Sequence, residues 1–324
     1  MKKKILITGI TGLIGRNTTR ILINKHHELH ALIRPGTDVT RFEEFKEKVT
    51  FYQVDLADIS GVKSFLQQNS FDVILHIGAL RGGRKFPNKT YFAVNVNTTE
   101  QLILNALENN SKFVFCSSVG VFGAIPGKLP ADENTPRKED NYYHYTKIRA
   151  ESLIQNYILK GLKAVILRPA ITYGPGDYGF PFTLTKLIDN GYFPITEKPV
   201  TIHLTNIELI SQSFARAVDL DQIVGKSYNV ADSEPVIMSY LADFINQQLK
   251  GKSYKPKISM RNSWLKFGED IARFCKNELW TSRFELISKS WYYNVEDVYT
   301  DFGLKEFKTI PEFKIVTDWY KKYK

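Results

Sequence analysis

Six short runs rich in apolar, β-branched and aromatic residues recur along the first half of the chain, at 4–8, 28–33, 49–54, 73–77, 112–117 and 164–168. Amphipathic segments with helical spacing, such as 98–107 and 145–159, lie between them. Strands joined through helices pair in parallel, because the connection is too long for a hairpin. Repeated right-handed crossovers wind such units into one α/β sheet with helices on both faces. Every strand's C-terminal end then lies on one rim, where folds of this kind bind ligands.

Beyond the Pro/Gly-rich stretch 168–181 the pattern loosens. Residues 201–204 and 227–230 read as further strands with a helix at 207–218 between them, and from 235 onward the chain reads as mostly helix, aromatic and basic. A length of 324 residues suits two lobes. We expect a nucleotide-binding sheet domain over 1–175 and a smaller, mostly helical C-terminal substrate lobe over 176–324, with 199–231 returning to the sheet.

The 44 Lys and Arg exceed the 34 Asp and Glu by ten, which raises nucleic acid or an anionic surface as a partner. The charges are spread along the chain and accompany no RRM, zinc-finger or basic-zipper pattern, so nucleic acid is not expected. Two cysteines, Cys116 and Cys275, make no disulfide framework. No apolar run approaches the roughly 20 residues that span a bilayer, and the N-terminal apolar run holds three glycines and lacks a small-residue cleavage site. A cytoplasmic protein is the expectation.

The first strand runs directly into Gly9-Ile10-Thr11-Gly12-Leu13-Ile14-Gly15, with a helical pattern behind it. Glycines here let the backbone approach a pyrophosphate, while the following helix offers its unpaired N–H groups. This marks the sheet as Rossmann-type and dinucleotide-binding. Arg34 stands after the second strand, where NAD-binding chains carry an acid for the ribose 2′-OH; a guanidinium suits a 2′-phosphate, so NADP is expected, with NAD the alternative. Asp55 and Leu56, closing the third strand, are placed to meet the adenine, unless Asp55 only caps the next helix.

Ser118 follows the fifth strand, and Tyr143 and Lys147 open a helix four residues apart, on one face. A phenol that exchanges protons with a substrate oxygen needs a pKa nearer 7 than its usual ~10, and Lys147 with an oxidised nicotinamide could supply that field. The six histidines show no metal-ligand spacing.

In these stretches, together with 76–79, 95–99, 117–123 and 168–176, the chain resembles the extended short-chain dehydrogenase/reductase family, also called the NAD-dependent epimerase/dehydratase family. The resemblance implies that Tyr143 is the acid/base, that Lys147 lowers its pKa and holds the ribose, that Ser118 hydrogen-bonds the substrate oxygen, and that Asn95 supports the active-site helix. It also implies cofactor contacts from Ile77, Gly78, Ala79 and Ser117, nicotinamide contacts from Pro169 and Ile171, and a homodimer through the helices at 98–107 and 145–159.

Departures narrow the chemistry. Where the family's dehydratases resemble Thr-Asp-Glu, this chain has Ser118-Val119-Gly120, so elimination of water is not expected. The usual His-Val-Asp-Asp reads His203-Leu204-Thr205-Asn206. The implied function is oxidation and reduction at a secondary alcohol or ketone, first of a nucleotide sugar in a 4-epimerase-like cycle. Arg34 and the loose helical segment 280–304 resemble the dihydroflavonol reductase and hydroxysteroid dehydrogenase branch, making an NADPH-dependent reductase of an apolar ketone the alternative. A dinucleotide-binding regulator without chemistry is the contrasting class. The aromatic, basic stretch 264–291 reads as substrate-lobe core, or alternatively as a partner-facing or membrane-surface helix pair.

Overall fold

The computed structural model describes residues 2–82, 86–257, 262–275 and 277–324. Its elements are β1 (Lys4–Thr8), α1 (Leu13–Ile23), β2 (Glu28–Ile33), β3 (Val49–Gln53), α2 (Ile59–Gln67), β4 (Val73–His76), α3 (Asn88–Phe92), α4 (Thr98–Glu108), β5 (Lys112–Cys116), α5 (Tyr142–Ile158), β6 (Lys163–Pro169) and β7 (Ile171–Tyr173). There follow α6 (Phe180–Asn190), β8 (Thr201–Ile202), β9 (Leu204–Asn206), α7 (Ile207–Ala217), β10 (Ser227–Val230), β11 (Val236–Ile237), α8 (Met238–Lys250), α9 (Asn262–Phe274), α10 (Glu278–Ser288), α11 (Glu296–Phe302), α12 (Thr309–Glu312) and α13 (Lys314–Tyr323).

Seven strands form one sheet in the order β10-β6-β5-β4-β1-β2-β3, every pair parallel. This is the doubly wound Rossmann order with β10 added beyond β6. Burial on both faces explains why its strands read as continuous apolar runs: Ile5, Leu6 and Ile7 are all fully buried, Ile5 and Ile7 in one core and Leu6 in the other.

The expected strand at 201–204 is divided. It breaks at His203: before it β8 pairs antiparallel with β11, and after it β9 pairs parallel with β7. Of the segment 199–231, Ser227–Val230 joins the large sheet while Thr201–Ile202 and Leu204–Asn206 stand in these two small ribbons. The break is anchored from outside the segment: His203 Nε2 lies 2.6 Å from the Asp232 carbonyl, and its Nδ1 accepts the Tyr293 N–H at 3.2 Å. Burial drives this imidazole down to about 4, which keeps it neutral. The C-terminal region is mostly helical and shares one core with the sheet through buried Trp291, Tyr293, Phe302, Phe307 and Phe313.

Candidate active site

At the end of β1 the chain turns through Gly9, whose φ of +76° is left-handed; a Cβ there would lie 2.6 Å from the Gly78 nitrogen. Only glycine satisfies both demands. Gly12 donates its N–H to the Gly9 carbonyl at 2.9 Å and becomes the N-cap of α1, with no side-chain cap and no acid in the first turn. A Cβ on Gly15 would lie 2.2 Å from the Gly9 carbonyl oxygen, so the helix starts directly against the turn. The positive end of α1 therefore faces the rim without a carboxylate of its own, beside exposed Thr11 and Gly12 and half-buried Leu13 and Ile14. This cradle fits a dinucleotide pyrophosphate.

A directed chain of hydrogen bonds fixes the neighbouring loop. The Gly78 N–H donates to Thr8 Oγ1 at 3.0 Å, Thr8 lies 2.7 Å from His76 Nδ1, His76 Nε2 lies 2.9 Å from Thr99 Oγ1, and Thr99 donates to the Asn95 carbonyl at 2.8 Å. Since Thr99 spends its proton on Asn95, the bond between His76 and Thr99 is donated by Nε2–H, leaving Nδ1 to accept from Thr8. Burial pushes His76 down to about 3, so it stays neutral in this role. Asn95 clamps both ways: Oδ1 accepts from Leu80 N at 2.8 Å, while Nδ2 donates to the Leu80 carbonyl and to Thr146 Oγ1, each at 3.0 Å. It thus ties the loop after β4, with half-buried Ile77 and Ala79, to the first turn of α5.

Helix α5 begins where Asn141 accepts the His144 N–H at 2.9 Å. Tyr143, Lys147 and Glu151 follow at four-residue spacing. Lys147 is 2% exposed, donates to the Cys116 carbonyl at 2.6 Å and lies 4.6 Å from the centre of the Phe115 ring; burial lowers its pKa. Tyr143 is half-buried, and burial pushes its phenol well above the usual range, helped by Cys116 and opposed by a hydrogen bond with Ser118 and the field of Arg81. The expected lowering by Lys147 does not appear in the chain alone, where burial dominates the phenol. Ser118 has a structural duty as well, accepting the Gly120 N–H at 3.0 Å.

Behind these groups lies a buried ion network. Ser117 donates to Glu151 Oε1 at 2.5 Å; Arg168, 1% exposed, holds both Glu151 oxygens at 2.8 and 2.7 Å and reaches Glu133. Arg137 stands 3.8 Å from Glu151, and both guanidiniums lie over the Phe122 ring. Glu151 escaped the sequence reading, although its spacing from Tyr143 and Lys147 carried the signal. The role of Arg168 had no local signal.

The parallel sheet brings the other expected residues to the same rim. Arg34 is exposed at the end of β2, and Asp55 and Leu56 are half-buried after β3. Asp58, not Asp55, is the N-cap of α2; the Asp55 carboxylate accepts the Ala57 N–H at 2.9 Å and its carbonyl the Asp58 N–H at 3.0 Å. Pro169 is buried at the end of β6, Ile171 is half-buried, and a Cβ on Gly176 would sit 3.4 Å from Leu13, so the loop after β7 reaches the glycine turn.

Comparison with known proteins follows these features. A model of the NAD dependent epimerase/dehydratase family matches residues 5–231. A chloroplast stem-loop binding protein of 41 kDa from Arabidopsis thaliana is 30% identical over 255 residues, covering 74% of this chain and 62% of its own length. UDP-glucose 4-epimerase uge1 of Schizosaccharomyces pombe is 26% identical over 248 residues, covering 72% and 65%. The chain thus spans less than two thirds of either relative. The solved structure of UDP-glucuronic acid 4-epimerase from Bacillus cereus in complex with NAD shares the fold, with a TM-score of 0.75 at 20% identity, covering 100% of this chain and 99% of that one.

Proposed function

Because this chain belongs to the NAD dependent epimerase/dehydratase family, we propose that it interconverts a secondary alcohol and its ketone on a nucleotide sugar, in a 4-epimerase-like cycle. The observation that carries the reading is the convergence of the Gly9-Gly12-Gly15 cradle and the Ser118, Tyr143 and Lys147 group on one sheet rim. Likeness to a UDP-glucose 4-epimerase supports the nucleotide sugar. Residues 1–175 hold the dinucleotide and 176–324 close over the substrate, and the helices α4 and α5 pair two copies.

When bound, the dinucleotide supplies reversible oxidation at the substrate carbon. Tyr143 exchanges a proton with the substrate oxygen, and Ser118 donates a hydrogen bond to that oxygen. Lys147 lies one turn further along α5, where its charge favours the phenolate once it turns from the Cys116 carbonyl to the ribose hydroxyls. Asn95 holds loop and helix in register. Arg34 is the group for a 2′-phosphate, so NADP is the proposed cofactor and NAD the alternative.

The test is the nucleotide content of denatured, freshly purified protein, together with the rate of Tyr143→Phe on UDP-sugars. Retained nucleotide, turnover without added cofactor and a loss of about 10²- to 10⁴-fold in Tyr143→Phe are expected. An empty protein that turns over only with added NADPH and an apolar ketone, the reading that Arg34 favours, would replace the epimerase assignment. An undiminished Tyr143→Phe would remove chemistry from this site.

A further inference from the structure

Three consecutive residues at the end of β5 are bound by three successive turns of α5. The Cys116 carbonyl accepts from Lys147 at 2.6 Å, the Ser117 hydroxyl donates to Glu151 Oε1 at 2.5 Å, and Ser118 shares a hydrogen bond with Tyr143. Strand end and helix are thus laced together along about 12 Å of helix. Two of these ties involve groups of the reacting trio, and the third lies one turn deeper. There Ser117 is 3% exposed, and its N–H donates to the Leu167 carbonyl at 2.7 Å, so its hydroxyl and its amide are both committed within the chain.

The acceptor is itself immobilised. Arg168 grips Glu151 with Nε on Oε1 at 2.8 Å and Nη2 on Oε2 at 2.7 Å, and β6 carries it in the register that pairs Cys116 with Leu167, one residue before Ser117 and Arg168. Glu133 and the Phe122 ring hold the same guanidinium. A core needs none of this for stability, since well-packed apolar side chains of similar volume often do as well as a buried ion pair. What the fixed carboxylate adds is direction: a charge-assisted bond holds one hydroxyl, and with it the strand end, in one place. The reaction proposed above takes Lys147 from the Cys116 carbonyl to the ribose hydroxyls, and the strand end then loses a tie two residues from Ser118. We propose that Ser117 and Glu151 are positioning residues of that reaction, keeping Ser118 at the substrate oxygen while Lys147 moves. The inference rests on that reading of the site. Its size follows from geometry, because a displacement of about 1 Å can cost on the order of 10²-fold in rate.

The experiment removes the tie and leaves the ion network, using Ser117→Ala alone and together with Ser118→Ala. In the free protein, hydrogen exchange read by mass spectrometry should speed up on the order of tenfold over residues 117–123 and stay unchanged over β1 and α1. In turnover of UDP-sugars, kcat should fall about tenfold to a hundredfold while KM stays within about threefold. That loss should vanish where Ser118 is already alanine, because the tie acts through that side chain. Unchanged exchange overturns the proposal, and so does an equal further loss of kcat in the Ser118→Ala background. Arg168 still satisfies Glu151 in Ser117→Ala, so the variant should fold; should it fail, Ser117→Cys keeps the volume with a weaker donor and reads the same loss. This inference and the nucleotide-sugar reading fail separately. Exchange needs no substrate, and a protein inert towards UDP-sugars is read for the same kcat loss with NADPH and an apolar ketone, since Ser118 serves either reaction.

Discussion

Two ion clusters in this molecule have the same composition, two glutamates and two cations, and opposite placement. Around Glu151 the cation is the deepest member: the Arg168 side chain is 1% exposed and the Glu151 side chain 7%. In the helical hairpin of α9 and α10 the acids are deep and the cations open, with Arg273 and Lys289 side chains at 52 and 41% against 8 and 6% for Glu269 and Glu285. A buried guanidinium has little water to fall back on, so its partners decide its energy; an exposed ammonium keeps most of its hydration. The first cluster therefore holds geometry at the site, where Glu151 also accepts the hydrogen bond of the Ser117 hydroxyl. The second mainly neutralises the two buried acids, Glu269 and Glu285.

The largest effect should come from Arg168→Met. It leaves Glu151 buried with Arg137 as the nearest cation at 3.8 Å, and should cost about 3–5 kcal/mol in urea unfolding. A loss under about 1 kcal/mol would mean that Arg137 takes over, and the contrast between the clusters would fail.

Acid sharpens the contrast. His76, His144 and His203 are driven down to about 3, 4 and 4 by burial, so each favours the folded state above the ordinary histidine pKa of 6.5, and that stability is lost as pH falls towards the folded values. Asp232, raised to about 6 by burial, works the other way, its stability present in acid and lost as pH rises through 6. Between about pH 4 and 6 the three histidines outweigh the one carboxyl by two protons, so unfolding free energy should fall by roughly 2.7 kcal/mol per pH unit of acidification. Glu269, held below the usual range by Lys289 and Arg273 against the opposing effect of burial, adds its loss only in stronger acid. Urea midpoints measured from pH 7 to pH 4.5 check this; a flat profile would show that the histidines stay hydrated.

The smallest effect should be that of Lys289→Met, about 1 kcal/mol or less, because Arg273 still pairs with both glutamates. Removing both cations should cost more than the two single changes together, since Glu269 and Glu285 would then face each other unpaired. A double-mutant cycle by thermal unfolding reads the coupling, and simple additivity would show two independent ion pairs.

Much of this was legible in the chain. Strands at 4–8, 28–33 and 227–230 coincide with the observed ones, because burial on both faces of a parallel sheet writes continuous apolar runs into the sequence. Glycine spacing marked the turn because steric exclusion is local. The break at His203 was not legible, since its anchors, Asp232 and Tyr293, lie 29 and 90 residues downstream. Arg168 was opaque for the same reason, with Glu133 35 residues upstream.

By itself the sequence determined the period of each element, the positions where only glycine fits and the four-residue spacing that puts Tyr143, Lys147 and Glu151 on one face, all of which depend on backbone sterics within a few residues. Only the tertiary structure decided that Lys147 turns to the Cys116 carbonyl while burial raises Tyr143, that Arg168 holds Glu151, and that Trp264, Phe267, Ile271 and Phe274 of α9 stand exposed and not in the core. Those outcomes depend on which distant groups exclude water from a side chain, and desolvation is settled by packing across the whole molecule.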